Sequence, residues 1–538
     1  MRLNKKRQNE GQRRSEVAQK LNHEGAPVLQ LSPLETLFSK VLGAYFGEST
    51  FYEERGAEQA QTELAALFTE VGEEDKEYIL KIALLGRRLG MRSYPIHVLA
   101  EAYHSELFSG DAFVDANGIN KLRYYSNGIV WRAKDVNDLL AHHMTFYKKR
   151  PLPNQLRKNL KRRLEEFDTY KLSKGLDKKG MVSLRDSIKL LRPRPKNEEM
   201  EGVFSNIIQD KLIMGGSEEK AEMTVVLSTI NNQPSTKAPL SEEEKTARVK
   251  ASLLSSNLRT LLRNLKQVVK FDLHKDSDAL EALRAKIIDV DALVKEKILP
   301  QEVYLAHRAL RSMVGSEIRI LNDALEEVME HSLENAETLD GFSAIMVDVS
   351  GSMQYSLAKY SDFEYVEMAA LLGAIAFKKG RGDLFVYASS AKKVNVSRRD
   401  SVFSIMKRIQ GNSEVGYGTE FSRALGFVNR LVKQSKSNYD NLIVFTDSDS
   451  AQVRDGKLYD DGFGLNRIVE DMYKDGVFKH LWINNMGGND FLMTPVEKPY
   501  IRFATGFSMN FLKVINIQLK REQKMDIREL IDEMLKEL

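Results

Sequence analysis

Two apolar runs in the last third of the chain stop on an aspartate: IMVD ends at Asp348 and IVFTD at Asp447. Ser350 and Ser352 follow the first at alternate positions, and Thr419 lies in the glycine-rich stretch GYGTE. Two carboxylates and three hydroxyls form an all-oxygen set, which suits a hard dication, Mg²⁺ or Mn²⁺. Only two negative charges would neutralise such an ion and hydroxyls are weak donors, so it would remain electrophilic toward a carboxylate or phosphate from outside. The competing reading makes Asp348 and the serines caps of the helix that follows. An aspartyl-phosphate centre is disfavoured, because Ser350 stands where that chemistry wants a second acid.

A second group of residues could bind phosphate. Net charge is only +4, yet residues 148–196 hold seventeen Lys or Arg against five Asp or Glu, a local +12 that leaves −8 for the rest. Within PNQLRKNLKRRLEEF, Leu156, Leu160, Leu164 and Phe167 recur on one helical face, with Asn154 as the expected N-cap. Arg157, Lys158, Lys161, Arg162 and Arg163 occupy the other faces. Like charges at i, i+4 repel by roughly 0.2–0.5 kcal/mol per pair. A solvated face is the ordinary reading of such a run. The continuing basic residues and the interleaved Phe167 and Tyr170 favour salt-dependent contacts to a phosphate backbone, RNA above all.

The elements that must position these groups differ between the two parts of the chain. From about Leu31 to Asn335 the apolar spacing is helical, as in DKEYILKIALLGRRLG, a break at Pro95, and IHVLAEAYHSELF. Ser241 with Glu244 forms an expected capping box, and the stretch around MGGSEEKAEMTVVLSTINNQPSTKAPL reads as an insertion or linker. Helix pairs without strands suggest a HEAT-type solenoid. After Asp340, short apolar runs (FSAIMVD, DLFVYAS, NLIVFTD, FKHLWIN, IRFAT) alternate with helical stretches, the pattern of a parallel doubly wound sheet. Functional groups in such sheets gather at the carboxyl ends of strands.

At 538 residues, 42% hydrophobic and 29% charged, the chain is expected to fold as several soluble domains. It has no cysteine, which excludes disulfides, thiolate zinc sites and cysteine nucleophiles and suits a reducing cytoplasm. No apolar run reaches 18 residues, so no membrane contact is expected. The first twenty residues carry seven basic and two acidic side chains with no apolar core, unlike a secretory signal. His97 with His104, and the adjacent His142 and His143, read as ordinary helix residues, and the RGD at Arg381 to Asp383 reads as chance. No P-loop, nucleophile elbow or dinucleotide fingerprint occurs, and a non-enzyme is expected.

Asp348, Ser350, Ser352, Thr419 and Asp447 together resemble the metal-ion-dependent adhesion site (MIDAS) of von Willebrand factor A domains, in which the serines and threonine reach the metal and the aspartates act directly or through water. A helical-repeat module before such a domain resembles the Ro ribonucleoprotein family of bacterial or phage type, whose module is called TROVE. LPNQLRKNLKRRLEEF with KKGMVSLRDSIKLLRPRP, LSSNLRTLLRNLKQV and ATGFSMNFLKVI are similar to family segments.

The resemblance implies an all-α HEAT-like TROVE ring over 31–336 and an α/β von Willebrand factor A domain over 340–520; outside it the charge pattern leaves a basic flexible arm over 1–30 and a charged C-terminal helix over 521–538. It implies a monomer that binds Y-like small non-coding RNA on a basic outer surface and takes single-stranded 3′ ends of misfolded RNA into a central hole. The matching RNA-binding positions are Arg157, Lys158 and Lys161, with Arg162 as an extension. A protein such as an exoribonuclease would supply the carboxylate to a Mg²⁺ or Mn²⁺ site. Leu184 stands where the family has a histidine, and Glu420 where an aspartate is common. The alternative is an A-domain adaptor for an AAA+ ATPase or chaperone system. A metal-dependent nuclease lacks its general base and its carboxylate cluster.

Overall fold

The computed structural model describes residues 20–21, 27–43, 56–109, 113–173, 180–209, 242–357, 363–435, 438–448, 453–454, 457–458, 463–487, 491–493, 498–505, 511–520 and 525–538. Residues 1–19, Ser241 and the segment 210–240 therefore lie outside the described residues, and with them most of the basic arm, the capping box at Ser241 and the inferred linker. The chain forms two compact units, one of residues 72–87 and 95–335, the other of 1–71, 88–94 and 336–538.

The elements of the first unit are helical. They comprise the second half of α2 (Ala57–Arg88), most of α3 (Ser93–Ala102), α4 (Leu122–Ile129), α5 (Ala133–Phe146), α6 (Asn154–Glu166), α7 (Thr169–Ser173), α8 (Leu184–Leu191) and α9 (Glu198–Ile208). They continue through α10 (Glu242–Ser255), α11 (Leu258–Arg263), α12 (Leu265–Lys270), α13 (Ser277–Ile287), α14 (Val290–Lys295), α15 (Pro300–Leu310) and α16 (Ser316–Ser332). Neighbours in sequence pack as pairs, α8 on α9 and α15 on α16. Gly72, at φ 73°, breaks α2 at the boundary between the units. Pro95 falls inside the first turn of α3 rather than in the break, since a proline there gives up no helical hydrogen bond.

The second unit is built on a six-stranded sheet. Its strands are β3 (Phe342–Asp348), β4 (Arg381–Tyr387), β5 (Ala391–Lys393), β6 (Tyr439–Thr446), β9 (Phe478–Asn485) and β11 (Ile501–Thr505), in the order β11-β9-β6-β3-β4-β5. Short β7 (Val453–Arg454) and β8 (Lys457–Leu458) pair with each other. All sheet pairs are parallel except β4 with β5, so the expected parallel sheet is mixed at one edge. The helices are α17 (Tyr365–Lys379), α18 (Val402–Gln410), α19 (Phe421–Ser435), α20 (Phe463–Lys474), α21 (Phe511–Leu519) and α22 (Ile527–Glu537). The chain runs from β3 to β4 on one side and returns to β6 on the other, so the strand order reverses at β3. That switch point opens a crevice at the carboxyl ends of β3 and β6. The RGD has a structural reason: Gly382 lies opposite Ser343 on β3, where a Cβ would come 1.7 Å from the Ser343 carbonyl oxygen.

The amino-terminal segment departs from the expected boundaries. β1 (Lys20–Leu21) pairs with β2 (Pro27–Gln30), which pairs with β10 (Phe491–Leu492). α1 (Pro33–Gly43) buries Leu34, Leu37, Phe38 and Val41, and the Phe38 ring meets Phe503 of β11 edge-on at 6.3 Å. These apolar residues recur at i, i+3, i+4 and i+7, and their stripe is buried within the α/β unit rather than in the helical repeat. At the other end, α22 buries Leu530, Ile531 and Met534, and Lys513 of α21 donates to the Glu537 carbonyl at 3.0 Å.

Candidate functional site

Asp348 ends β3 and Asp447 follows the adjacent β6, where the strand order reverses. Asp348 accepts the Ser350 backbone N–H on Oδ1 at 2.9 Å, which turns the chain so that the Ser350 and Ser352 hydroxyls lie 3.3 Å apart. Its Oδ2 accepts the Thr446 hydroxyl at 2.8 Å, tying β3 to the end of β6 one residue before Asp447. The loop carrying Thr419 is pinned from two sides. Gly351 N–H donates to the Tyr417 carbonyl at 2.8 Å, and Glu420 N–H donates to the Ala388 carbonyl beyond β4 at 2.9 Å. All five side chains are buried, Asp348 and Ser350 completely. Tyr417, in contrast, is 67% exposed.

The electrostatics match the donor chemistry. Burial pushes the Asp348 carboxyl up to about 6, against hydrogen bonds from Ser350, Thr446 and Tyr387 that pull it down. Among the described residues no three or more His, Asp, Glu or Cys converge on one point, so an ion here would depend on the hydroxyls. Two buried carboxylates with three hydroxyls fit Mg²⁺ or Mn²⁺. Glu420 stands apart from the set, paired with Arg423 at 3.0 Å. Thr446 is a positioning residue that the sequence reading missed. Besides holding Asp348, its hydroxyl accepts the Ser448 N–H at 3.1 Å and so supports the left-handed turn at Ser448, φ 67°. A threonine directly before a strand-end aspartate is the signal that could have identified it.

The basic helix α6 lies in the other unit. Leu156, Leu160, Leu164 and Phe167 are buried as their spacing predicts. The helix starts at Asn154 with Pro153 at the N-cap, so Asn154 is not the cap. Arg157 and Lys158 are exposed, whereas Lys161 and Arg162 are half-buried. Lys161 lies 4.0 Å from Glu165, and Arg162 Nη1 is buried with no hydrogen-bond partner among the described residues. Arg163 is structural, donating from Nε and Nη2 to the Val130 carbonyl at 3.1 and 2.7 Å. Asn159, on the buried face, donates to the Tyr103 hydroxyl at 2.7 Å. Leu160 has no exposed surface, and Leu160→Ala is expected to cost about 2–5 kcal/mol, read as a lower urea midpoint for the helical unit. Leu184 opens α8 behind a Ser183–Asp186 capping box and is 1% exposed, so it serves the core.

Four of the nine histidines pack together, His97 on α3 and His104 in the turn after it against His142 and His143 on α5. His97 Nδ1 lies 2.8 Å from His142 Nδ1, so one ring must donate and the other accept, and the His104 ring stacks on Tyr147 at 3.8 Å. The Tyr147 hydroxyl donates to Glu101 at 2.6 Å. Burial, reinforced by His142, pushes His97 down to about 3, and burial with His143 pushes His104 down to about 4. The unfolded chain then binds more protons than the folded one below about pH 6.5, so the stability these rings contribute above that pH is lost as pH falls. Between pH 7.5 and 5, His97 is expected to account for about 1–2 kcal/mol of that loss, and His97→Gln should flatten the dependence of the urea midpoint on pH.

No protein-family model matches the chain, and no curated protein matches its sequence. A solved structure does: the crystal structure of the Deinococcus radiodurans Ro (RSR) protein is similar over 90% of this chain and 99% of that one, with TM-score 0.59 and 17% sequence identity. A likeness of that extent at so low an identity is one of architecture, a helical unit together with an α/β unit. The chain thus has the fold of a bacterial Ro protein.

Proposed function

We propose that the protein is a non-enzymatic RNA-binding protein of the Ro type, a scaffold or quality-control factor. In this reading the helical repeats form a ring. Y-like small RNA binds outside along α6 through Arg157, Lys158, Lys161 and Arg162, and single-stranded 3′ ends of misfolded RNA enter the hole. Asp348, Ser350, Ser352, Thr419 and Asp447 hold Mg²⁺ or Mn²⁺, which takes a carboxylate from a protein partner such as an exoribonuclease. The observation that carries the reading is α6 itself. Its leucine face is buried while Arg157 and Lys158 stand exposed, inside a segment of local charge +12 for which a protein adaptor has no use. Among the described residues no helix is long and apolar enough to cross a membrane.

The test is sequencing of RNA that co-purifies with the wild type and with the Arg157→Glu, Lys158→Glu, Lys161→Glu triple variant. Equal recovery of RNA from both sinks the proposal.

A further inference from the structure

We propose that Trp131 is a stacking platform for an unpaired RNA base at the carboxyl end of α6; this rests on the RNA-binding reading above. Trp131 lies in the turn between α4 and α5 and is 43% exposed, with an indole large enough to offer a base a stacking face. Its ring is nevertheless held on several sides. The backbone N–H donates to Asp135 Oδ2 at 3.0 Å and the indole N–H to the Gly128 carbonyl at 2.6 Å, while the Arg87 guanidinium lies 4.7 Å from the ring centroid.

Arg87 is itself fixed. It is 2% exposed, ion-paired with Asp135, and donates from Nε to the Ile129 carbonyl at 2.8 Å. The indole is therefore set before any ligand arrives, and stacking on it orders no further protein side chain.

The basic helix α6 is the source of phosphate contacts in this reading. Val130, directly before Trp131, accepts both hydrogen bonds from Arg163 of α6, so the platform adjoins the end of the basic helix. Arg157 and Lys158 lie further back on the same helix, Arg157 about 9 Å from Arg163 along the axis. Arg157 and Lys158 lie partly around the helix from Arg163, so a strand that reaches the indole would have to wind across α6 with its phosphates on those side chains. Paired bases have no free face to offer, so the ligand is a loop, bulge or single-stranded end. Base-on-aromatic stacking tolerates sequence, and the platform is expected to discriminate by strandedness rather than by base identity.

The chain has two tryptophans, and Trp482 is fully buried, so a change in emission on RNA binding reports Trp131. The experiment titrates a fluorescein-labelled 12-nucleotide oligouridylate into the full chain at low salt, reading anisotropy and tryptophan emission together. Quenching is expected in the wild type and in Trp482→Phe, and is expected to vanish in Trp131→Phe. Trp131→Ala should weaken binding on the order of 10- to 100-fold with the slope of log K against log salt unchanged, while Trp131→Phe recovers most of the affinity. Arg157→Glu with Lys158→Glu should lower that slope instead. Oligouridylate bound with wild-type Trp131 emission unaltered overturns the platform and leaves the RNA-binding reading standing. Absence of binding by the wild type overturns both.

Discussion

Exchanging Arg157, Lys158 and Lys161 for glutamate is expected to lower RNA affinity on the order of 100- to 500-fold near 0.1 M salt. Each lysine or arginine on a phosphate releases counterions worth about 0.7–0.9 log unit per decade of salt, so three lost contacts remove about 2 to 2.7 log units one decade below 1 M. The slope of log K against log salt should fall in proportion, a signature that misfolding does not produce. The helix should survive the exchange, because Leu156, Leu160, Leu164 and Phe167 remain buried and Asn159 keeps its bond to Tyr103. The expected structural cost is a few tenths of a kcal/mol, because Lys161→Glu sets a second carboxylate one turn from Glu165. Filter binding at four salt concentrations, with thermal melts of each protein, checks both halves. An unchanged slope would separate α6 from the RNA interface.

Asp348→Ala is expected to abolish stabilisation by Mg²⁺ or Mn²⁺. An ion at 100 times its dissociation constant adds about 2.7 kcal/mol to the folded state, a shift of roughly 5–10 °C in Tm for a domain of this size. In the wild type that shift should appear in the α/β unit, and in Asp348→Ala it should be absent. Asp348→Asn is the more exacting variant. Its amide keeps the shape and an acceptor oxygen for the Ser350 N–H, while the amide nitrogen takes the place of the oxygen that accepts the Thr446 hydroxyl, and the charge is lost. Both variants should retain the RNA affinity of the wild type, since α6 belongs to the other unit. A metal titration unaffected by either change would falsify the metal centre.

The two candidate sites were legible in the sequence to different depths. D-x-S-x-S is a local pattern: Asp348 and Ser350 meet through a backbone bond two residues apart, a geometry that spacing encodes directly. Strand runs ending on Asp348 and Asp447 imply groups at the carboxyl edge of a doubly wound sheet by pattern alone, whereas the switch point between β3 and β6 came from the strand order. The leucine stripe of α6 was equally legible, as helical periodicity is a property of consecutive residues.

Pattern could not rank the basic residues. Arg157 and Arg163 look alike in sequence, yet one is exposed and the other holds the Val130 carbonyl 33 residues away. The histidines show the same limit. Their spacing along the sequence argued against a shared role, and the close pairs form between distant segments, His97 of α3 with His142 of α5 and His104, in the turn after α3, with His143 of α5.

What the sequence determined by itself was the grammar of each unit, the turn that joins Asp348 to Ser350 and the face of α6 that enters the core. All of these follow from interactions between near neighbours. Tertiary structure alone decided that α1 joins the α/β unit, where the Ser39 hydroxyl accepts a bond from Asn485, 446 residues on. It also decided that Thr446 holds Asp348, and that Arg87 and Asp135 fix Trp131 at the surface. Such pairings are selected by which buried surfaces fit and which polar groups find partners, and no short-range pattern carries that information.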